Sequence, residues 1–508
     1  MLDAVRAVQS LYPLIAPELM LLAGACALFV AAAFVRPLDG DLPARQERGS
    51  AWAVGALATI FLAIAFWIPQ FSAKAEALSA NMVRFDVLAW YTKGLSFAGA
   101  FLVALLSWRR VSPSFGGEYY GCLLIVAAGL NFIGMANDLV GLFLSLELVS
   151  IPTYVLLYLA KRDERGQEAA LKYFLLSIFS SAIFIYGLTF LYGVCGSTNL
   201  EVVRSSLLGS EAVHLKEMLL LSMVLIVAGL SFRITAVPFH FYAPDVFAGT
   251  SLPMAAFLSF VPKIAGFVAL FRLVAGVMLA PPEALPAGSG PPSLELAMML
   301  GILATATMFA GNMIALVQTD VRRLLAYSGV AHGGYMLLAL SVGQPSELAV
   351  PSVQAVLFYL TAYGAMTIGA FAVLNAASSR DAPIETLDDL RGLSTQRPVL
   401  AAAMGLFLFS LIGLPPTAGL MGKLQILLAL WSKNSATFWF LAVLLAVNAA
   451  ISAVYYIRVL LAVYSSTGER TAPRTDPASA IVVAICAALT LGLFFFPTLV
   501  MRALQHLY

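Results

Sequence analysis

The chain has 508 residues, of which 61% are hydrophobic and 11% charged, with a formal net charge of +2 and a mean hydropathy of +0.91. A soluble domain carries about 25% charged residues; a chain this apolar could not cover its surface in water, so lipid is the solvent that suits it. Four dispersed cysteines without a CxxC pair exclude zinc, iron–sulfur and thioredoxin-like sites, and no GxGxxG, Walker A or HExxH motif offers a nucleotide, flavin or metal site. Cys26, Cys122, Cys195 and Cys486 each lie in or beside an apolar segment and read as small buried hydrophobes.

A membrane helix needs about 20 mostly apolar residues. On that basis the sequence predicts an all-α polytopic membrane protein with about fourteen spans. They fall at 14–35, 51–70, 86–108, 118–136, 139–160, 169–195 and 217–239 in the first half. The second half gives 251–275, 294–317, 323–342, 353–377, 399–431, 437–463 and 477–501. The first stretch stays apolar through Val35 with no small-residue cleavage site, so it reads as a span and not as a cleaved leader. Trp52, Trp67, Trp90, Trp108, Trp431 and Trp439 all fall near predicted span ends, as an interfacial aromatic belt requires.

The connections alternate in charge. Arg36, Arg45, Arg48, Arg109, Arg110, Lys161, Arg162, Arg165, Arg322, Arg323, Arg380, Arg391, Arg397, Arg470 and Arg474 occupy one set of alternate loops. The other set is sparser in lysine and arginine, so positive-inside logic places the first set in the cytoplasm and both termini outside.

Charges inside spans are the informative exceptions, since each costs roughly 2.5 to 3.5 kcal/mol at a helix centre on insertion scales. Glu147 lies nine residues past Asp138, about 13 Å along a helix and near mid-membrane. It reads either as half of a static ion pair or as a proton-binding group whose affinity desolvation and a nearby cation set in opposition. Arg233 precedes Pro238, which interrupts its helix; an arginine holds its proton, so it serves as an electrostatic or a structural partner. His240 beside that break reads as a hydrogen-bonding residue, and Lys172 near a helix start either snorkels or pairs inward.

Lys263 sits too deep in its span to snorkel easily, and a desolvated ammonium suits a proton relay. His332, between glycines, reads as a titrating residue or a packed core histidine. Lys423 follows an uncharged run from Val399 to Gly422, beside Pro415, Pro416 and Gly419, which break that helix. Irregular backbone at membrane depth is tolerated where it lines a cavity or is buried in protein. Two proline-broken helices in the two halves are the pattern of transporter folds with inverted repeats. His214 and His506 lie near span ends and carry no prediction.

The segments SLELVSIPTYVLLYL, EAALKYFLLSIFSSAIFIYGLTFLYG, FRITAVPFHFYAPDVFAGT, VRRLLAYSGVAHGGYML and LIGLPPTAGLMGKL resemble the proton-translocating membrane subunits of NADH–quinone oxidoreductase, the respiratory complex I. The APEL segment of the first span, the APDV form after PFH and the lysine after LPPTAG select the N-type subunits over the related L and M types. The resemblance implies a fourteen-helix fold with two inverted five-helix repeats and discontinuous seventh and twelfth helices. That divides the chain into an N-terminal three-helix segment at 1–117, repeats at 118–275 and 294–463, and a last helix at 477–508. It places the family's glutamate on Glu147 and its two lysines on Lys263 and Lys423, with periplasmic termini in a bacterial inner membrane. Arg233 stands where the family usually has a lysine, and TSLP stands where APTP is usual.

The resemblance further implies proton transfer along Glu147, Arg233, Lys263, His332 and Lys423, coupled to quinone reduction in partner subunits. NADH, FMN, iron–sulfur clusters and quinone would all be bound there, and neighbouring antiporter-like subunits would flank the chain. A subunit of a multisubunit sodium/proton antiporter, a subunit of a ferredoxin-driven quinone-reducing complex, and a membrane scaffold are the competing readings.

Overall fold

The computed structural model describes residues 2–34, 42–70, 78–80, 82–207, 215–275, 293–342, 352–379, 383–432, 435–465 and 476–504. The first half contains helices α1 (Leu2–Phe34), α2 (Leu42–Trp67), α3 (Val87–Leu106), α4 (Gly116–Met135), α5 (Leu139–Ala160), α6 (Glu164–Cys195), α7 (Lys216–Ile234), α8 (Ala243–Gly249) and α9 (Leu252–Leu270). The second contains α10 (Ser293–Leu316), α11 (Val321–Leu340), α12 (Ser352–Ala377), α13 (Pro398–Ile412), α14 (Ala418–Trp431), α15 (Ala436–Tyr464) and α16 (Pro477–Phe495). Short helices Leu200–Leu207 and Pro497–Leu504 lie outside this set.

Among the described residues, twelve helices are long and apolar enough to cross a membrane. The remaining two predicted spans differ for physical reasons. Predicted span 399–431 is two helices of 15 and 14 residues, α13 and α14, either side of a break. Helix α11 covers 323–342 but is diluted by Arg322, Arg323, His332 and its glycines. The purely helical expectation also missed a small antiparallel hairpin between α2 and α3, pairing Leu78–Ala80 with Val83–Phe85.

Local sequence starts these helices where backbone donors need partners. Asp138 accepts from the Val140 and Gly141 amides at the start of α5, and Asp320 does the same for Arg322 and Arg323 at the start of α11. Each is an N-cap, satisfying groups that the helix itself leaves unpaired. Burial then sorts the helices. The best apolar windows of α9 and α12 are 100% and 94% buried, against 28% for α2 and 33% for α6. Helix α9 packs on α3, α7, α11 and α12. A lysine at its middle therefore faces protein on every side, which is what positions the candidate site.

Candidate functional site

Helix α7 stops at Ile234 because Thr235 turns into the left-handed region, with φ of 59°. The Ala236 amide folds back to the Ser231 carbonyl at 2.8 Å, and the Tyr242 hydroxyl donates to Phe232 O at 2.9 Å. Pro238, with no N–H, prevents the helix from resuming before α8. The carbonyls freed at such an end carry a partial negative charge. Lys263 of α9 takes this position. Its Nζ donates to Ile234 O at 3.0 Å and to Thr235 Oγ1 at 2.6 Å, with the side chain buried.

Arg233, one residue before the end of α7, reaches the opposite way. It donates to Ser150 Oγ at 2.7 Å and to Glu147 Oε1 at 3.3 Å, and Ser181 donates to the same carboxylate oxygen at 2.6 Å. The arginine side chain is 6% exposed and the glutamate 21%. Glu147 thus lies at the rim of the bundle, flanked along α5 by the outward-facing Leu144 and Ile151.

The second break repeats the chemistry of the first. Helix α13 ends at Ile412, Gly413 adopts φ of 93°, and the chain passes Pro415 and Pro416 before α14 begins at Ala418. Glycine suits that left-handed residue because a side chain is strained there. Lys423 Nζ donates to Leu411 O at 3.0 Å and to Ile412 O at 2.7 Å. Each broken helix therefore presents its C-terminal carbonyls to a buried lysine. Lys263 comes from the following helix, Lys423 from the second half of the same interrupted segment.

His332 lies between the two lysines on α11. Its Nδ1 is 2.6 Å from the Tyr359 hydroxyl and its Nε2 is 3.1 Å from the Tyr456 hydroxyl. Tyr363 stacks at a tilt against the imidazole, 5.2 Å between ring centres, and its ring is 5.9 Å from Lys263 Nζ. The Tyr359 ring packs onto Gly422, where a Cβ would fall 2.1 Å from it, so the adjacent Lys423 is held close. The structure thus places Glu147, Arg233, Lys263, His332 and Lys423 along α5, α7, α9, α11 and α14 as one polar line, buried from Arg233 onward and partly exposed at Glu147, with Pro238, Pro415 and Pro416 in its breaks.

Other charges were not singled out from the sequence. Lys93 and Glu18 are completely buried, with Lys93 Nζ 3.2 Å from Glu18 Oε1 and also donating to Leu14 O at 2.7 Å and Gln70 Oε1 at 3.1 Å. Both sit inside predicted spans, so the rule that found Lys263 applied to them too. Arg272 forks onto Asp86 with contacts of 2.6 and 2.8 Å. Lys172, which the sequence left between snorkelling and pairing inward, pairs at the exposed end of its helix with the accessible carboxylates of Asp245 at 2.7 Å and Glu168 at 2.8 Å. His240 lies in the first break, its carbonyl accepting from the Ala243 amide. The cysteine expectation holds for Cys122 and Cys486, but Cys26 is exposed and Cys195 half-buried. In a membrane bundle, an apolar surface faces lipid as readily as core. His214 and His506 lie outside the described residues. Among the described residues, no group of three His, Cys, Asp or Glu side chains could hold a metal ion.

A family profile described as "NADH:quinone oxidoreductase/Mrp antiporter, TM" matches residues 136–449. NADH-quinone oxidoreductase subunit N from Geobacillus kaustophilus is 36% identical over 97% of this chain and 96% of its own length. The chain belongs to the subunit N family. The family member from Desulfovibrio desulfuricans is 37% identical, covering 94% of this chain and 92% of its own. A chain of respiratory complex I from Thermus thermophilus superposes with a TM-score of 0.76 at 31% identity, over 96% of this chain and 98% of that one. The family segment contains both helix breaks and all five residues of the polar line.

Proposed function

We propose that this subunit N family member is a proton-translocating subunit of the membrane arm of NADH–quinone oxidoreductase. In this reading it couples quinone reduction in partner subunits to proton transfer along Glu147, Arg233, Lys263, His332 and Lys423. The observation that carries the reading is the paired geometry of the breaks. Each puts a buried lysine on the carbonyls of an interrupted helix, and a doubly hydrogen-bonded histidine lies between them. A helix C-terminus stabilises an ammonium and desolvation opposes it, so a small movement of either lysine changes its hold on a proton.

The energetics permit this. Moving one charge across the membrane costs about 2.3 kcal/mol per 100 mV. An ion pair at about 4 Å in an effective dielectric near 20 interacts by roughly 4 kcal/mol. Making or breaking the Glu147–Arg233 pair is thus large enough to switch the proton affinity of Lys263. Redox cofactors (NADH, FMN, iron–sulfur clusters and quinone) are assigned to partner subunits.

The same reading makes α13 and α14 together one span, which with α11 gives fourteen. The first repeat spans 118–275 and the second 294–463, with the N-terminal helices at 1–117 and a last helix at 477–508. The arginine-rich loops face the cytoplasm of a bacterial inner membrane, and both termini are periplasmic. A tag at Tyr508 that an impermeant reagent reaches only after the membrane is opened would overturn that orientation.

The direct test replaces Lys263 or Glu147 by alanine in the assembled complex. Complex assembly is expected to persist while NADH-driven proton translocation falls; full translocation in both variants sinks the relay.

A further inference from the structure

Both imidazole nitrogens of His332 are taken, Nδ1 by Tyr359 and Nε2 by Tyr456, so neither is turned to Lys263. The lysine Nζ has three hydrogens to donate, and two of them go to Ile234 O and Thr235 Oγ1. Tyr363 of α12 lies against both groups. Its ring packs on the imidazole with 5.2 Å between centres and stands 5.9 Å from Lys263 Nζ.

The Tyr363 hydroxyl has no evident duty in the packing. The residue is 1% exposed, and its oxygen has no hydrogen-bond partner among the described residues. The Thr367 hydroxyl, one turn further along α12, is buried and unpartnered in the same way. Such groups are rare, because each has given up its bonds to water. Here an unpaired acceptor stands near an ammonium with a donor to spare.

Helix α11 keeps the gap between them open. A Cβ on Gly329 would stand 2.8 Å from the Tyr363 oxygen and 3.9 Å from Lys263 Cε. A Cβ on Gly333, one turn on, would stand 3.5 Å from Nζ and 2.8 Å from Ile234 O. The hydroxyl and Cε are thus no further apart than the first two distances together. That is within the sweep of the ammonium about the last bonds of its side chain, or within reach of one bridging water.

We propose that the Tyr363 hydroxyl is a second seat for the Lys263 ammonium, reached from the Ile234 carbonyl across the gap left by Gly329 and Gly333. This deepens the proton-path reading and rests on it. Only hydrogen bonds change: Nζ gives up Ile234 O and gains the tyrosine oxygen. In the first seat the charge lies against the end of α7, one residue from Arg233. In the second it lies beside the ring that covers His332. Like charges repel, so the first seat is the poorer one whenever Glu147 does not neutralise the guanidinium. Tyr363 is then a positioning residue, and Gly329 sets its clearance.

The test is Tyr363→Phe in the intact complex, which keeps the stacked ring and removes the seat. The rate of NADH-driven proton uptake into inside-out vesicles is expected to fall on the order of tenfold, the factor by which a hydrogen bond to a charged group shifts an equilibrium. The ratio of rates in H2O and D2O should rise above the wild-type ratio, because transfer from Lys263 then limits turnover. A packing defect slows uptake alike in both solvents. Tyr119→Phe is the control: its buried hydroxyl bonds Ser107, outside the line, and both readings should match the wild type. A wild-type rate in Tyr363→Phe, a loss with an unchanged isotope ratio, or an equal loss in Tyr119→Phe overturns the seat. If Tyr363→Phe prevents assembly, Gly329→Ala decides, since its methyl group fills the gap while the hydroxyl stays. A lowered rate with a raised ratio supports the seat there, and an unchanged rate or ratio overturns it. Lys263→Ala separates the two levels of argument. Loss there with a wild-type rate in Tyr363→Phe defeats only the seat, and full rates in both defeat the path through Lys263 as well.

Discussion

Arg233 is the residue at which the buried line departs from its family's usual chemistry. Its guanidinium spreads two contacts over Ser150 and Glu147, at 2.7 and 3.3 Å, instead of forking onto the carboxylate. A guanidinium keeps its proton under all ordinary conditions, so here it can bias Glu147 without relaying through it. Arg233→Lys should therefore preserve or raise NADH-driven proton translocation, since it keeps the charge and adds a group able to release a proton. Arg233→Ala should lower it. Removing one partner of a fully buried pair costs about 3–5 kcal/mol; Glu147 is partly exposed, so the penalty here lies below that and assembly should survive. Normal translocation by the alanine variant would show that the arginine does not set the field at Glu147. At this scale the sequence was informative about which residues are charged and deep, because an ionisable group in an apolar run needs no fold to be noticed. What each lysine donates to was not legible. The carbonyls of Ile234 and Ile412 become acceptors only once tertiary packing brings Lys263 and Lys423 to them.

Helix elements show the limits of proline as a signal. Pro152 and Pro262 lie inside α5 and α9, which continue through them, whereas the segments at Pro238 and Pro415–Pro416 are interrupted. The difference lies just upstream of the prolines, where Thr235 and Gly413 adopt left-handed backbone and release the last carbonyls. Gly413 gives a test of whether that geometry matters to function. An alanine there faces roughly 1–2 kcal/mol of left-handed strain, and its Cβ would stand 3.0 Å from Lys423 Cδ. Gly413→Ala should lower the thermal midpoint of the purified complex and its proton yield together. Gly196 is also left-handed, with φ of 69°, but a Cβ there meets nothing within 4 Å. Gly196→Ala should lower the midpoint with no loss of yield. Equal loss of yield in both variants would mean that Lys423 is indifferent to the break beside it.

At the scale of the whole molecule, the Glu18–Lys93 pair raises the question of how the N-terminal helices are held to the rest. Lys93 on α3 reaches Glu18 and Leu14 O on α1 and Gln70 just beyond α2, so one ammonium gathers three helices. Helix α3 also packs on the central α9, and the Tyr91 hydroxyl meets Thr361 of α12 at 2.5 Å. Helices α1–α3 are thus tied to the core that carries Lys263. Both charges of the pair are fully buried. Breaking such a pair from one side costs about 3–5 kcal/mol, while replacing both partners with apolar groups of similar volume is often neutral or better. Glu18→Leu and Lys93→Met alone should each reduce the amount of assembled complex in the membrane. The double variant should restore most of it, because neither charge is then left without a counter-ion. Full assembly in both single variants would exclude a clamp, and a double variant as poor as the singles would mean that the hydrogen bonds to Leu14 and Gln70, more than the ion pair, hold the three helices together.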